Sequence, residues 1–276
     1  MEGQAQHLRV VEGKERYVPY LAVASGKGGV GKTLLSINIG SILRKQGKRV
    51  LLIDGDLGLS NIHLMLGIAP PKNLYHFFRG EASLDEISIP IEEGLHFISS
   101  GSGVRELVNL PEKQLRNLIL LLQEYAEKNY DIVVFDTPPG IHNDTLSIVS
   151  SSHFPIVITT PEPTAVADAY GLIKVLSLEC GVKNFYLIVN KVSHEDEARR
   201  VYESINTVCQ KFTPAQVMYL GGIRYSPKLI RSIVQQNPFH QELTRELSLA
   251  LSRLPIGVVP HRLSFWEKLL SKLRRG

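Results

Sequence analysis

The octet Gly26-Lys27-Gly28-Gly29-Val30-Gly31-Lys32-Thr33 constrains this chain more than any other stretch. It satisfies G-x-x-x-x-G-K-[ST] at every fixed position, and the apolar run before it, 19–25, predicts a strand. A glycine-rich loop between a strand and a helix lets successive backbone N–H groups curl around phosphate oxygens. Gly26, Gly28, Gly29, Val30 and Gly31 supply that cradle. Lys32 is placed to reach the terminal phosphates, and Thr33 offers a hydroxyl to Mg²⁺. The helix that begins there adds the positive end of its dipole.

Further strands are predicted at 49–54, 95–99, 131–136, 154–160, 184–190, 216–221 and 255–259. All are short continuous apolar runs, as expected of strands covered on both faces. Helical patterns lie between most of them, among them 32–46, 111–128, 165–179, 194–211 and 227–236. Such alternation predicts an α/β fold with a doubly wound, mostly parallel sheet flanked by helices. Neither a repeat nor a Gly/Ser/Pro-rich linker divides the 276 residues, so one domain is expected over 18–260. Residues 1–17 and 261–276 are expected to lie outside it.

Composition excludes several classes. At 43% hydrophobic and 21% charged residues, the chain resembles an ordinary globular protein. It has no apolar run near the ~20 residues that span a bilayer. The polar start, Met1 to Val10, lacks a secretory signal, so a cytoplasmic protein is expected. Cys180 and Cys209 lie far apart with no C-x-x-C, which argues against a zinc or iron–sulfur site. The tail holds Arg262, Lys268, Lys272, Arg274 and Arg275 against Glu267, a surplus equal to the whole chain's +4. The body is therefore neutral, and no direct nucleic-acid binding is expected.

Two acidic strand ends flank the loop. Asp54 and Asp56, at i and i+2, can face the same side beside it. Asp136 follows four apolar residues, Ile132 to Phe135, in the arrangement that holds a Mg²⁺-bound water. Val189-Asn190-Lys191-Val192-Ser193 starts like the guanine motif N-K-x-D, but serine stands where the aspartate would be. The Asn190 amide can donate to N7 and accept from the N6 amine of adenine, so ATP is expected over GTP.

K-G-G-V-G-K-T, with its second lysine Lys27, resembles the deviant Walker A motif of the MinD/ParA ATPases. The D-x-D-x-G-x-x-N pattern at 54–61 is similar to that family's first switch, and Thr137 to Gly140 to its second. The resemblance covers about 20–260. It implies ATP/ADP and Mg²⁺ as cofactors and a homodimer in the ATP state, in which Lys27 reaches the partner's nucleotide. It implies a catalytic set of Lys27, Lys32 and Asp56, with Asp56 positioning the attacking water. The metal set is Thr33, Asp54 and Asp136, and Arg224 to Ser226 fall where a second base-contacting loop is expected. Thr160-Pro161-Glu162-Pro163-Thr164, leading to Asp168, is similar to the interface region of MinD relatives.

The two ends carry further expectations. Ser264-Phe265-Trp266-Glu267 has capping-box spacing. On the helix that follows, Phe265, Trp266, Leu269, Leu270 and Leu273 share one face, with Lys268 and Lys272 among the cations opposite. An aromatic-tipped apolar face backed by cations suits an anionic membrane surface, peripheral on the inner face of the cell membrane in the ATP state; the alternative is packing on its own domain, as in an ADP or monomer state. Gly3-Gln4-Ala5-Gln6-His7-Leu8-Arg9 resembles the D-Q-A-x-x-L-R activator segment of the FlhG (FleN/YlxH) group, with Gly3 in place of Asp. There the segment stimulates the FlhF-type GTPase, which would make Gln4, Leu8 and Arg9 partner contacts. The function implied is a switch for flagellar number and placement. The alternatives are a MinD division-site regulator, a ParA-type DNA-partitioning ATPase, or a scaffold that binds nucleotide without turnover. Lys27→Ala is expected to abolish ATP-dependent dimerisation as followed by light scattering; an unchanged dimer contradicts the role given to that lysine.

Overall fold

The structure is a computed structural model that describes residues 17–55, 62–101, 112–256 and 265–273. In chain order the described elements begin with β1 (Tyr20–Ala24), α1 (Lys32–Lys45), β2 (Val50–Asp54), α2 (Ile62–Leu66), α3 (Leu74–Phe78) and α4 (Leu84–Ile87). Next come β3 (Ile89–Glu92), β4 (Leu95–Ile98), α5 (Glu112–Asn129), β5 (Ile132–Asp136), α6 (Asn143–Ser151) and β6 (Phe154–Thr159). The last are α7 (Pro163–Leu178), β7 (Asn184–Val192), α8 (Glu195–Phe212), β8 (Gln216–Arg224), α9 (Pro227–Val234), α10 (Gln241–Leu251) and α11 (Phe265–Leu273).

The strands form one sheet in the order β3-β4-β2-β5-β1-β6-β7-β8. Every neighbouring pair is parallel except the antiparallel edge pair β3–β4. The predicted strand at 255–259 is not found: Pro255 and Ile256 are not strand, and 257–259 fall outside the described residues. The short β3 was missed because Ile89-Pro90-Ile91-Glu92 is a half-exposed edge with a proline, not a buried run.

Strand β1 sits in the middle of the sheet, and its side chains alternate between layers. Leu21 and Val23 join the core beneath α1 and α10, while Tyr20 and the pair Ala22/Ala24 serve two clusters on the opposite face. Helix α1 is buried almost all round, so the loop before it is held between a buried strand and a buried helix.

The C-terminal helix does not stand clear of the body. Phe265 and Trp266 are 0% and 2% exposed, and Leu269 is buried with them. The Phe265 ring stacks on Tyr20 at 4.6 Å and on Phe135 at 4.9 Å between centroids. Trp266 meets Tyr20 edge-on and donates its indole N–H to the Tyr20 hydroxyl at 2.7 Å. That hydroxyl donates onward to Glu127 at 3.3 Å. Lys272 reaches the Ser150 hydroxyl on α6, and burial pulls its ammonium below the ordinary lysine range. The side chains of Leu270 and Leu273 lie outside the described set. The apolar stripe that suits a lipid surface thus also fits the groove under β1 and β5, since both remove the same aromatic area from water.

Two tests of this docking follow from its chemistry. Tyr20→Phe deletes the acceptor of the Trp266 N–H and should weaken docking by about 1–3 kcal/mol, seen as greater acrylamide quenching of the sole tryptophan. His153 provides the second. Its Nδ1 accepts the Tyr20 N–H at 3.0 Å, and burial, with Lys268 nearby, pushes its pKa down to about 4. The neutral ring therefore supports docking above its ordinary value of 6.5, and that support is lost as pH falls towards 4. Quenching of Trp266 should rise across that window, and His153→Gln should flatten the rise.

Candidate nucleotide-binding site

The loop 26–31 needs glycine for two separate reasons. A Cβ on Gly26 would lie 2.2 Å from the Asp168 carbonyl oxygen, because the loop presses against the backbone of α7. Gly31 caps α1 with φ +91°, in the left-handed region that disfavours a side chain. The Asp168 side chain is exposed.

Asp136, at the end of β5, is the hub. Its Oδ1 accepts from Lys32 Nζ at 2.7 Å and from Ser36 Oγ at 2.9 Å, and its Oδ2 accepts from Thr33 Oγ1 at 2.7 Å. Lys32 and Asp136 are 8% and 2% exposed, so each neutralises the other out of reach of water. Breaking such a pair leaves an uncompensated buried charge. Backbone bonds tie the acid strands together at this end: Gly55 N–H to the Asp136 carbonyl at 2.8 Å, and Gly140 N–H to Ser25 at 2.8 Å. Asp54 is the register partner of Asp136 on β2 and is equally buried. The expected metal residues Thr33, Asp54 and Asp136 are therefore together. Asp56 lies outside the described residues, as do Gln4, Leu8 and Arg9.

The hydroxyl and carboxylate oxygens gathered here are hard donors of the kind Mg²⁺ takes while keeping several waters. The residues present fit that ion. No group of three or more His, Cys, Asp or Glu that could hold a metal occurs among the described residues.

Lys27 points away from this hub. Its Nζ lies 2.7 Å from Glu162 Oε1 and 2.9 Å from Thr164 Oγ1. The hydrogen bond from Lys27 holds the Glu162 carboxyl below the usual carboxylate range. Both side chains are well exposed, so the pair is easily exchanged.

The residues expected at the base divide. Asn190 is buried and donates one amide hydrogen to the Val30 carbonyl at 2.8 Å, bracing the loop itself. Arg224 turns its guanidinium onto Glu246 and its backbone N–H onto the same carboxylate at 2.9 Å. Beside it, Tyr225, Ser226, Pro227, His240 and Glu246 line a cavity of about 230 Å³ at the end of β8. Sequence reasoning did not single out Ser36; its signal was a serine one turn after Lys32 on the buried helix. Lys191, whose Nζ donates to the Gly29 carbonyl at 2.7 Å, also received no role.

A glycine loop between the central strand and its helix, with a buried lysine and an acid at the next strand end, defines a P-loop nucleotide-binding α/β protein. Residues 21–239 match the family described as the CobQ/CobB/MinD/ParA nucleotide binding domain. The chain belongs to that family and is an ATPase of the MinD/ParA type. It is 31% identical over 228 residues to the antiactivator FleN of Pseudomonas aeruginosa, covering 83% of this chain and 81% of FleN. It is 32% identical over 268 residues to the flagellum site-determining protein YlxH of Helicobacter pylori, covering 92% and 90%. The MinC:MinD cell division protein complex of Aquifex aeolicus contains a similar fold, with TM-score 0.69 at 24% identity over 90% of this chain and 99% of that one. MinD of Pyrococcus horikoshii, solved with Mg-ADP, superposes with TM-score 0.66 at 20% identity over 87% and 98%.

Thr33→Ala removes one oxygen from the proposed metal shell and leaves the lysine cradle in place. It is expected to cut the Mg²⁺-dependent gain in nucleotide affinity by about tenfold while binding in EDTA is unchanged, as read by titration calorimetry.

Proposed function

We propose that this protein is a nucleotide-controlled switch of the FlhG (FleN/YlxH) kind, regulating flagellar number and placement. In this reading it closes into a face-to-face dimer with ATP and rests on the membrane in that state. The similarity to FleN and YlxH across more than four-fifths of the chain supports the flagellar branch. MinD proteins are similar over comparable lengths, including the putative septum site-determining protein MinD of Mesostigma viride at 32% identity over 93% of this chain, which keeps division-site regulation as the second reading.

The observation that carries the switch is where α11 rests. Its Phe265 stacks on Phe135, the residue immediately before Asp136, and on Tyr20 at the foot of the phosphate-loop strand. Helix docking and the phosphate site therefore share two adjacent strands. Lys32 and the backbone N–H groups of 28–31 would hold the phosphates, and Thr33 and Asp136, with Asp54 beside them, would hold Mg²⁺. That ion, when bound, would draw charge from the β- and γ-phosphate oxygens. As phosphate takes over Lys32, Asp136 gives up its ammonium partner and the strand ends readjust. Lys27 exchanges Glu162 for the second subunit's nucleotide, and Asp56 orients the attacking water. Released helices from two subunits then bind anionic lipid together, which multiplies weak single contacts into useful avidity. Residues 1–17, with Gln4, Leu8 and Arg9, are the contact for an FlhF-type GTPase. No described helix is long and apolar enough to cross a membrane, in keeping with a peripheral contact through α11.

The test is co-sedimentation of the full chain with anionic vesicles in non-hydrolysable ATP analogue or ADP. Binding is expected with the analogue alone and should disappear on deletion of 262–276. Equal binding in both nucleotides, or binding that survives the deletion, rejects the switch. Stimulation of an FlhF-type GTPase by the full chain, lost in Arg9→Ala, tests the flagellar assignment separately.

A further inference from the structure

A phosphate-binding loop works because its N–H groups point inward, and the planarity of each peptide then forces the attached carbonyls outward. Those outward carbonyls need donors of their own. Here three in the loop find them. Ser25 Oγ donates to the Lys27 carbonyl at 3.0 Å, Asn190 Nδ2 to Val30 at 2.8 Å, and Lys191 Nζ to Gly29 at 2.7 Å. Only the last donor carries a full charge.

Lys191 is also unusual in its backbone. It has φ +59°, one of two positive-φ residues other than glycine among those described. It sits where the β7–β8 register slips between Asn190 and Val192. A bulge of this kind re-aims one side chain out of the sheet's alternation. A non-glycine residue held in the left-handed region costs stability, and such outliers gather at functional sites. The result is an exposed ammonium turned onto the outer side of the loop, in a cavity that Glu162 and Glu197 also line. The amine takes the Gly29 carbonyl.

We propose that Lys191 is a positioning residue for nucleotide binding, acting through the Gly29–Val30 peptide. The Gly29 carbonyl and the Val30 N–H belong to one amide. A cation on the oxygen holds that amide's orientation and draws electron density from its N–H, making it a better donor to a phosphate oxygen. Asn190 does the same, more weakly, for the Val30–Gly31 peptide. The effect requires only phosphates in the loop, so ATP and ADP feel it equally. This separates Lys191 from Lys27, whose effect is confined to the dimer.

Lys191→Asn keeps a residue that tolerates positive φ and removes the charge, whereas Lys191→Arg keeps a cationic donor. Dissociation constants for ADP and for a non-hydrolysable ATP analogue, measured by calorimetry on the full chain, should both rise about five- to tenfold in Lys191→Asn. Lys191→Arg should recover most of the loss, and the melting temperature without nucleotide should not change. Three results overturn the proposal: unaltered ADP affinity in Lys191→Asn, equal weakening by Asn and Arg, or an affinity loss matched by a fall in melting temperature.

Discussion

The buried pair of Lys32 and Asp136 is the contact on which the rest turns. An ammonium inside a protein must have an anion beside it, and here one carboxylate supplies it while also engaging Thr33 and Ser36. The arrangement is complete by itself, which lets the chain fold with no phosphate in the loop. It is also the arrangement that a triphosphate competes with. In the proposed switch, binding is an exchange of anions at Lys32 that frees Asp136 for a metal.

Because Asp136 ends β5, whatever moves it is felt by Phe135, one residue back and on the opposite face of the sheet. Phe135 and Tyr20 form the floor on which Phe265 and Trp266 rest. A side chain stacked at 4.9 Å has little room to follow a shifted strand without losing contact. The helix is therefore held by the same two strands whose far ends read the phosphates. The docked state also sets a threshold: any surface that takes the tail must outcompete three buried apolar side chains and the indole hydrogen bond to Tyr20.

Much of this was legible beforehand, and the gaps have physical causes. Strands buried on both faces, such as Val50–Asp54 and Ile132–Asp136, announce themselves as continuous apolar runs ending in an acid. The octet at 26–33 identified its own chemistry because few sequences satisfy so many fixed positions. The edge strand β3 stayed hidden because half-exposed strands mix polar and apolar residues. The amphipathic tail was readable as a helix with a greasy face, but amphipathicity states only that the face must be covered, not by what. Only the three-dimensional neighbourhood of Tyr20 and Phe135 supplies the body's own groove. Asn190 and Lys191 illustrate the same limit at the site. A strand-end amide suggests contact with the base and the lysine beside it suggests nothing, whereas the structure shows one Asn190 amide hydrogen and the Lys191 amine each donating to a loop carbonyl.

That last point changes how the loop should be understood. Its glycines make the curled backbone possible, yet they do not by themselves hold it curled, since glycine has the most freedom to lose. The curl is held from outside, by Ser25, Asn190 and Lys191 on three carbonyls and by the close approach of Asp168 to Gly26. Two of these donors come from the C-terminal end of β7, two strands away from β1 in the sheet. The phosphate site is thus a property of the sheet's order as much as of the motif. A chain with the same eight residues, but with another side chain at the end of β7, would keep the signature and lose part of the preorganisation that makes it bind.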